Sequence, residues 1–137
     1  MKKILLVTSI LFLINSCNKA YKLENIDSDL LAYVNSETEN PTLIVITEKT
    51  YPSSGYQITH YKRISKKEIY VKFKKISVPS AGLAVITPAM FVFDLKKLSN
   101  EEYDVVFELD KKKTKGKITI GTSVELTLES GSNIKPK

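Results

Sequence analysis

The chain has 137 residues, with 21 Lys and Arg against 15 Asp and Glu, one His and one Cys, for a formal net charge of +6. A single cysteine excludes an intramolecular disulfide, and one histidine beside it excludes the multi-His, multi-Cys ligand sets of zinc sites. The basic excess is mild and spread along the chain, which by itself does not imply nucleic acid and is compatible with an anionic surface nearby.

The first stretch carries the sharpest signal. Lys2 and Lys3 precede an apolar run, Ile4 to Ile14. About a dozen apolar residues suit the h-region of a secretory signal and fall short of the ~20 that span a bilayer. Ile14-Asn15-Ser16-Cys17 resembles the lipobox of bacterial lipoproteins: an aliphatic residue three before the cysteine and a small one just before it, with Asn15 departing from the usual small or aliphatic residue. The resemblance implies cleavage of residues 1–16 and a mature N-terminus at Cys17. That cysteine would carry a diacylglyceryl thioether and an amide-linked acyl chain of the palmitate class. Each buried methylene contributes about 0.8 kcal/mol, so two or more chains hold a protein at a membrane where one barely does. Asn18, rather than aspartate, after the cysteine points to the outer membrane of a bacterial cell envelope. The alternative is an uncleaved apolar helix with a buried cysteine.

Cleavage leaves 137 − 16 = 121 residues at a formal charge of +4, enough for one domain. Exported, such a domain is not expected to meet nucleic acid. Residues 17–29 are predominantly polar and predict a lipidated tether with little structure of its own. Leu30–Val34 reads as a first strand or one helical turn, and 35–41 as a turn-rich loop. The β-branched run Thr42–Thr47 predicts a buried strand. Strands are then predicted over Tyr56–Ile64 and Glu68–Ile76, the second with Ile69, Val71 and Phe73 inward, making a hairpin. Leu83–Thr87 is apolar and Pro88 marks a break or a sheet edge. Met90–Leu95, Glu102–Asp110 (Tyr103, Val105, Phe107 and Leu109 on one face), Lys117–Ile120 and Val124–Leu128 predict the remaining strands. Lys111–Lys117 reads as a hairpin tip, and its Lys111–Lys115 run as solvated, with contact to a phosphate-rich or anionic polymer as its functional alternative. Residues 131–137 predict a disordered tail. About seven short strands at roughly ten-residue spacing, with no amphipathic helix, predict an all-β domain over 30–130. Its expected form is a small antiparallel β-sandwich of the Ig-like kind, with a small barrel as the alternative.

The inventory of reacting groups is thin. His60 sits mid-strand with no sequence neighbour to orient it as a triad would require. There is no GxSxG elbow, no phosphate-cradling glycine loop, and no calcium-loop pattern. No catalytic residue, no metal ligand and no cofactor is therefore assigned, and a non-enzymatic role is expected.

Two loops stand out: Tyr51-Pro52-Ser53-Ser54-Gly55-Tyr56 and Val78-Pro79-Ser80-Ala81-Gly82-Leu83. Each has a plain reading as a turn between strands. The order PSSGY, two alternating strands, P-x-x-G and then T-P before an apolar strand also resembles the PrcB-type C-terminal domain, over about Leu43 to Leu95. That family is small, β-rich and associated with bacterial protease complexes. Its loop is closer to PTGGY, so Ser54 stands where a glycine is usual. A fainter similarity links the first loop to the NPTTGY-like loop of chagasin-type cysteine-protease inhibitors, whose two other inhibitory loops have no counterpart here. The resemblance implies binding of an unidentified protein or peptide, protease-associated or inhibitory toward a protease, through Tyr51, Pro52, Ser53, Ser54, Gly55, Tyr56, Pro79, Ser80, Ala81 and Gly82. The alternative is a structural or accessory subunit of an envelope complex that uses its β-faces.

Overall fold

The computed structural model describes residues 22–37 and 39–137, and among these every helix-or-strand element is a β-strand. The expected signal peptide, Cys17 and residues 18–21 lie outside the described residues. In chain order the strands are β1 Leu23–Glu24, β2 Leu30–Asn35, β3 Thr42–Tyr51, β4 Gln57–Ser65, β5 Glu68–Ser77, β6 Thr87–Asp94, β7 Glu102–Leu109, β8 Lys112–Ile120, β9 Val124–Leu128 and β10 Ile134–Pro136. The all-β class holds, with ten strands among the described residues rather than about seven.

Period-2 alternation builds the core. Ile69, Val71 and Phe73 of β5 are buried, and Ile69 and Val71 stand in register with the buried Val105 and Phe107 of β7. Tyr103 and Leu109 complete the inward stripe of β7. Phe73 sits between Phe91 (5.5 Å, edge-on) and Phe107 (5.8 Å).

The strands form one sheet in the order β10-β2-β3-β6-β4-β5-β7-β8-β9, with β1 added to the end of β5. β9 packs against β2 and β10, so the sheet curls until its two ends meet. The result is the sheet-rich, sandwich- or barrel-like all-β fold expected, built from one continuous sheet. Three pairings are parallel: β10–β2, β4–β6 and β5–β7. The last two arise because the β4–β5 hairpin lies in the middle, with β6 crossing to its β4 side and β7 to its β5 side.

One end of the barrel, here called the base, gathers the β3–β4 loop, the end of β5, the β5–β6 loop and the β7–β8 turn. Residues 22–29, expected to be an unstructured tether, close this base. β1 pairs with Ser77 and Ile76, the Val78 amide donates to the Lys22 carbonyl at 2.9 Å, and Ile26 is buried in the core. The polar residues of this segment are used in surface bonds: Asn25 with Lys75, Asp27 with Lys49, Asp29 with Lys135. The tail is likewise ordered. Ile134 is fully buried and β10 pairs with β2, so apolar burial overrides the polar composition of 131–137.

The lysine run is also placed differently. Asp110 and Lys111 both have positive φ (51° and 65°), a type I′ turn that joins Leu109 directly to Lys112. Lys112–Lys115 therefore lie in β8, where Thr114 turns inward and is buried while Lys113 and Lys115 point out. Leu83–Ile86, by contrast, contribute no strand, and Pro88 is accommodated inside β6 opposite a bulge in β3. In that bulge the Thr47 hydroxyl accepts the Ala89 amide at 3.0 Å and donates to the Lys49 carbonyl at 2.6 Å, replacing ladder bonds.

Candidate functional site

The two loops singled out in the sequence touch at the base. The Ser54 amide donates to the Leu83 carbonyl at 3.0 Å, and the Leu83 amide donates to Ser54 Oγ at 3.0 Å. Thr87 Oγ1 donates to the Ser53 carbonyl at 3.1 Å. Both glycines are required by close approach. A Cβ on Gly82 would stand 2.3 Å from the Ser54 carbonyl oxygen, and Gly55, at φ +95°, packs against the Pro79 ring, with 3.2 Å from its Cβ position.

The individual residues divide by role. Tyr51 ends β3, buried, with its ring stacked on Tyr56 at 4.4 Å. Burial pushes its phenol above the ordinary tyrosine range. Pro52 is exposed at the loop's turn. Ser53 and Ser54 hold the second loop, and Pro79 and Gly82 buttress the first. Ser80 and Ala81 are exposed and lie away from the groove described next.

Beyond the loops, β4 and β6 run side by side and parallel but pair only at Gln57 and Met90, where the Met90 amide donates to the Tyr56 carbonyl at 3.2 Å. Past that point the strands part. They leave a groove of about 410 Å³ walled by Gly55, Tyr56, Ile58, His60, Met90 and Phe91, among others. Alternation of a parallel ladder puts the next unpaired edge groups on His60 and Val92. His60 meets the Phe91 ring edge-on at 4.5 Å, and its Nδ1 lies 3.4 Å from the Ile58 carbonyl. Farther up the seam Lys62 Nζ stands 4.0 Å over the Phe93 ring, a cation–π contact that covers the core where β6 is no longer paired with β4. The groove thus offers an aromatic floor, apolar rims and two strand edges with free backbone groups.

A larger hollow, about 530 Å³, lies on the β7–β8–β9 side around Gly116. Its lining is charged, and Lys117 is paired there with Asp104 and with nearby Glu102. Glu68, Asp104 and Lys117 of that lining are ion-paired, whereas the groove has an apolar lining between strands that pair only at Gln57 and Met90, so the groove is the better candidate. Among the described residues no group of three His, Cys, Asp or Glu side chains is placed to hold a metal ion.

No protein-family model, curated protein or solved structure matches the chain at a significant level.

His60, Met90, Phe91 and Val92 were not assigned to a site from sequence. The available signal was Ala89-Met90-Phe91-Val92-Phe93, apolar on both faces. One face fills the core, and Met90 and Val92 on the other remain exposed.

Proposed function

We propose that this chain is a lipid-anchored, non-enzymatic module of the bacterial envelope that holds an extended segment of a protein partner in the groove between β4 and β6. The observation that carries this reading is the seam itself: two parallel strand edges joined only at Gln57 and Met90. An added strand gains main-chain hydrogen bonds from such edges, and side-chain pockets along them select its sequence. Phe91 and His60 form the floor and wall such a segment would meet. The anchor is inferred from the lipobox resemblance ending at Cys17, and the outer membrane from Asn18. The Ser54–Tyr56 end of the loop that resembles the PrcB-type domain stands at the mouth, so a protease or its peptide substrate is the first partner class to test. His60 touches the Phe91 ring and the Ile58 carbonyl, neither of which orients it toward a nucleophile, which favours binding over catalysis.

Photo-crosslinking in the full-length chain tests this. A photoreactive residue in place of His60 is expected to capture the same partner segment as one in place of Val92, and one in place of Lys66 on the β4–β5 turn is not. Capture from position 66 as efficient as from 60 sinks the groove reading.

A second reading is favoured by one observation. The outer face of β2, β3 and β6 aligns Tyr33 with Ile44 and Ile44 with Val92, all partly or fully exposed. An accessory subunit using that face would be captured from Tyr33 and Ile44 and not from His60.

A further inference from the structure

We propose that the tip of the β5–β6 loop, Leu83, Val85 and Ile86, docks into the surface of the bilayer that holds Cys17. The inference rests on the lipid-anchor reading above and adds an orientation and a second membrane contact to it.

Leu83 (73 %), Val85 (51 %) and Ile86 (74 %) are exposed within four consecutive residues. Scattered apolar residues on a surface are ordinary, whereas a contiguous exposed cluster marks a contact surface. The display is built. Ser54 bonds both the amide and the carbonyl of Leu83, the Val85 amide donates to the Leu83 carbonyl at 2.8 Å, and Thr87 is tied to Ser53. A backbone held this firmly keeps three apolar side chains turned outward.

The occupant follows from where the described chain begins. The Lys22 carbonyl accepts the Val78 amide, at the start of this same loop. Cys17 is five residues before Lys22, a reach of at most about 18 Å fully extended. A bilayer anchored at Cys17 therefore lies against the base, the end from which Leu83, Val85 and Ile86 project. Charge agrees. Glu24 and Asp27 at the base are paired with Lys22 and Lys49. Lys74, Lys75, Lys111 and Lys112 are exposed toward the same end, against Glu48 and Asp110. Anionic headgroups attract lysines within a Debye length of the surface. The groove opens at Ser54–Tyr56 and runs away from the base along β4 and β6, so a partner would lie across the side of the barrel while the base faces lipid.

The test uses the full chain, purified from bacterial membranes and reconstituted into vesicles of phosphatidylcholine and phosphatidylglycerol. The mass of the N-terminal peptide first reports acylation of Cys17. With Cys17 acylated, Leu83→Cys, Ile86→Cys and, at the opposite end, Lys66→Cys each carry one free thiol for an environment-sensitive fluorophore. Labels at 83 and 86 are expected to shift to the blue and to be quenched by lipids bearing a nitroxide near the headgroup, and the label at 66 to show neither effect. Labels at 83 and 86 that behave as the one at 66 overturn the docking and leave the anchor standing. Labels shielded from aqueous iodide yet untouched by nitroxide lipid show a protein covering the tip, and also overturn it. An unacylated Cys17 removes the anchor reading, and this orientation with it.

Discussion

The backbone of Leu83 is bonded on both sides by a single residue: its carbonyl accepts the Ser54 amide and its amide donates to Ser54 Oγ, each at 3.0 Å. A glycine at position 54 would keep the first bond and lose the second. Serine thus welds the β5–β6 loop to the β3–β4 loop in a way a glycine cannot.

Ser54→Ala is expected to cost about 0.5–1.5 kcal/mol, the usual net worth of one hydrogen bond, and less if water replaces the hydroxyl at this exposed site. Amide exchange localises the effect: Leu83 loses protection while the β4–β5 hairpin keeps it. Unaltered exchange at Leu83 would show that the hydroxyl does not restrain the loop.

Gly82→Ala tests the packing of the two loops more severely. The new Cβ would meet the Ser54 carbonyl oxygen at 2.3 Å, a backbone atom that yields only if the loops separate. A loss of about 1–3 kcal/mol is expected, in the range of overpacking elsewhere. Denaturant midpoints read it, and a midpoint equal to that of the parent chain contradicts the close approach.

Ile26 and Ile134 test whether the two polar ends of the domain belong to its fold. Both are buried, one closing the base and one opening β10. Ile26→Ala and Ile134→Ala are each expected to destabilise by about 2–5 kcal/mol, as for other large-to-small core changes. Loose ends would give near-zero changes in the urea midpoint.

On the outer face of β5 and β7, Tyr70 Oη donates to Glu108 Oε2 at 2.6 Å and Lys72 Nζ lies 3.1 Å from Oε1. The Tyr70 bond, then the Lys72 bond and charge, hold the Glu108 carboxyl below the ordinary glutamate range. The unfolded chain binds this proton more readily than the folded one. The stabilisation is therefore complete above the unfolded glutamate pKa of about 4.3 and fades as pH falls through the lowered folded value. Tyr70 shifts the opposite way, raised first by its bond to Glu108, so its share is complete below the unfolded phenol pKa of about 10 and is lost as pH rises through the raised value. Tyr70→Phe is expected to move the Glu108 titration upward and to flatten the acid limb of stability against pH. Carboxyl NMR shifts read the first and urea midpoints the second; an unmoved Glu108 titration refutes the linkage.

Alternation makes most of the strand faces legible in the sequence. Ile69, Val71 and Phe73, like Tyr103 to Leu109, declare an inward face because side chains of a strand alternate sides whatever the neighbouring strand is. The β4–β5 hairpin was legible too, since two residues link its arms. The ordered ends were not. One apolar residue, Ile26 or Ile134, carries each segment into the core, too weak a pattern to stand out from its polar neighbours.

The amino-acid sequence by itself determined the β class, the inward faces and the lipobox-like stretch ending at Cys17, because each is written in residues adjacent along the chain. Only the tertiary structure decided that Ser54 holds Leu83, that Lys22 lies at Val78, and that β4 and β6 part beyond Gln57 and Met90. Those are contacts between segments separated by connections such as 78–86. They are chosen by how the sheet closes on its core, so no local period encodes them.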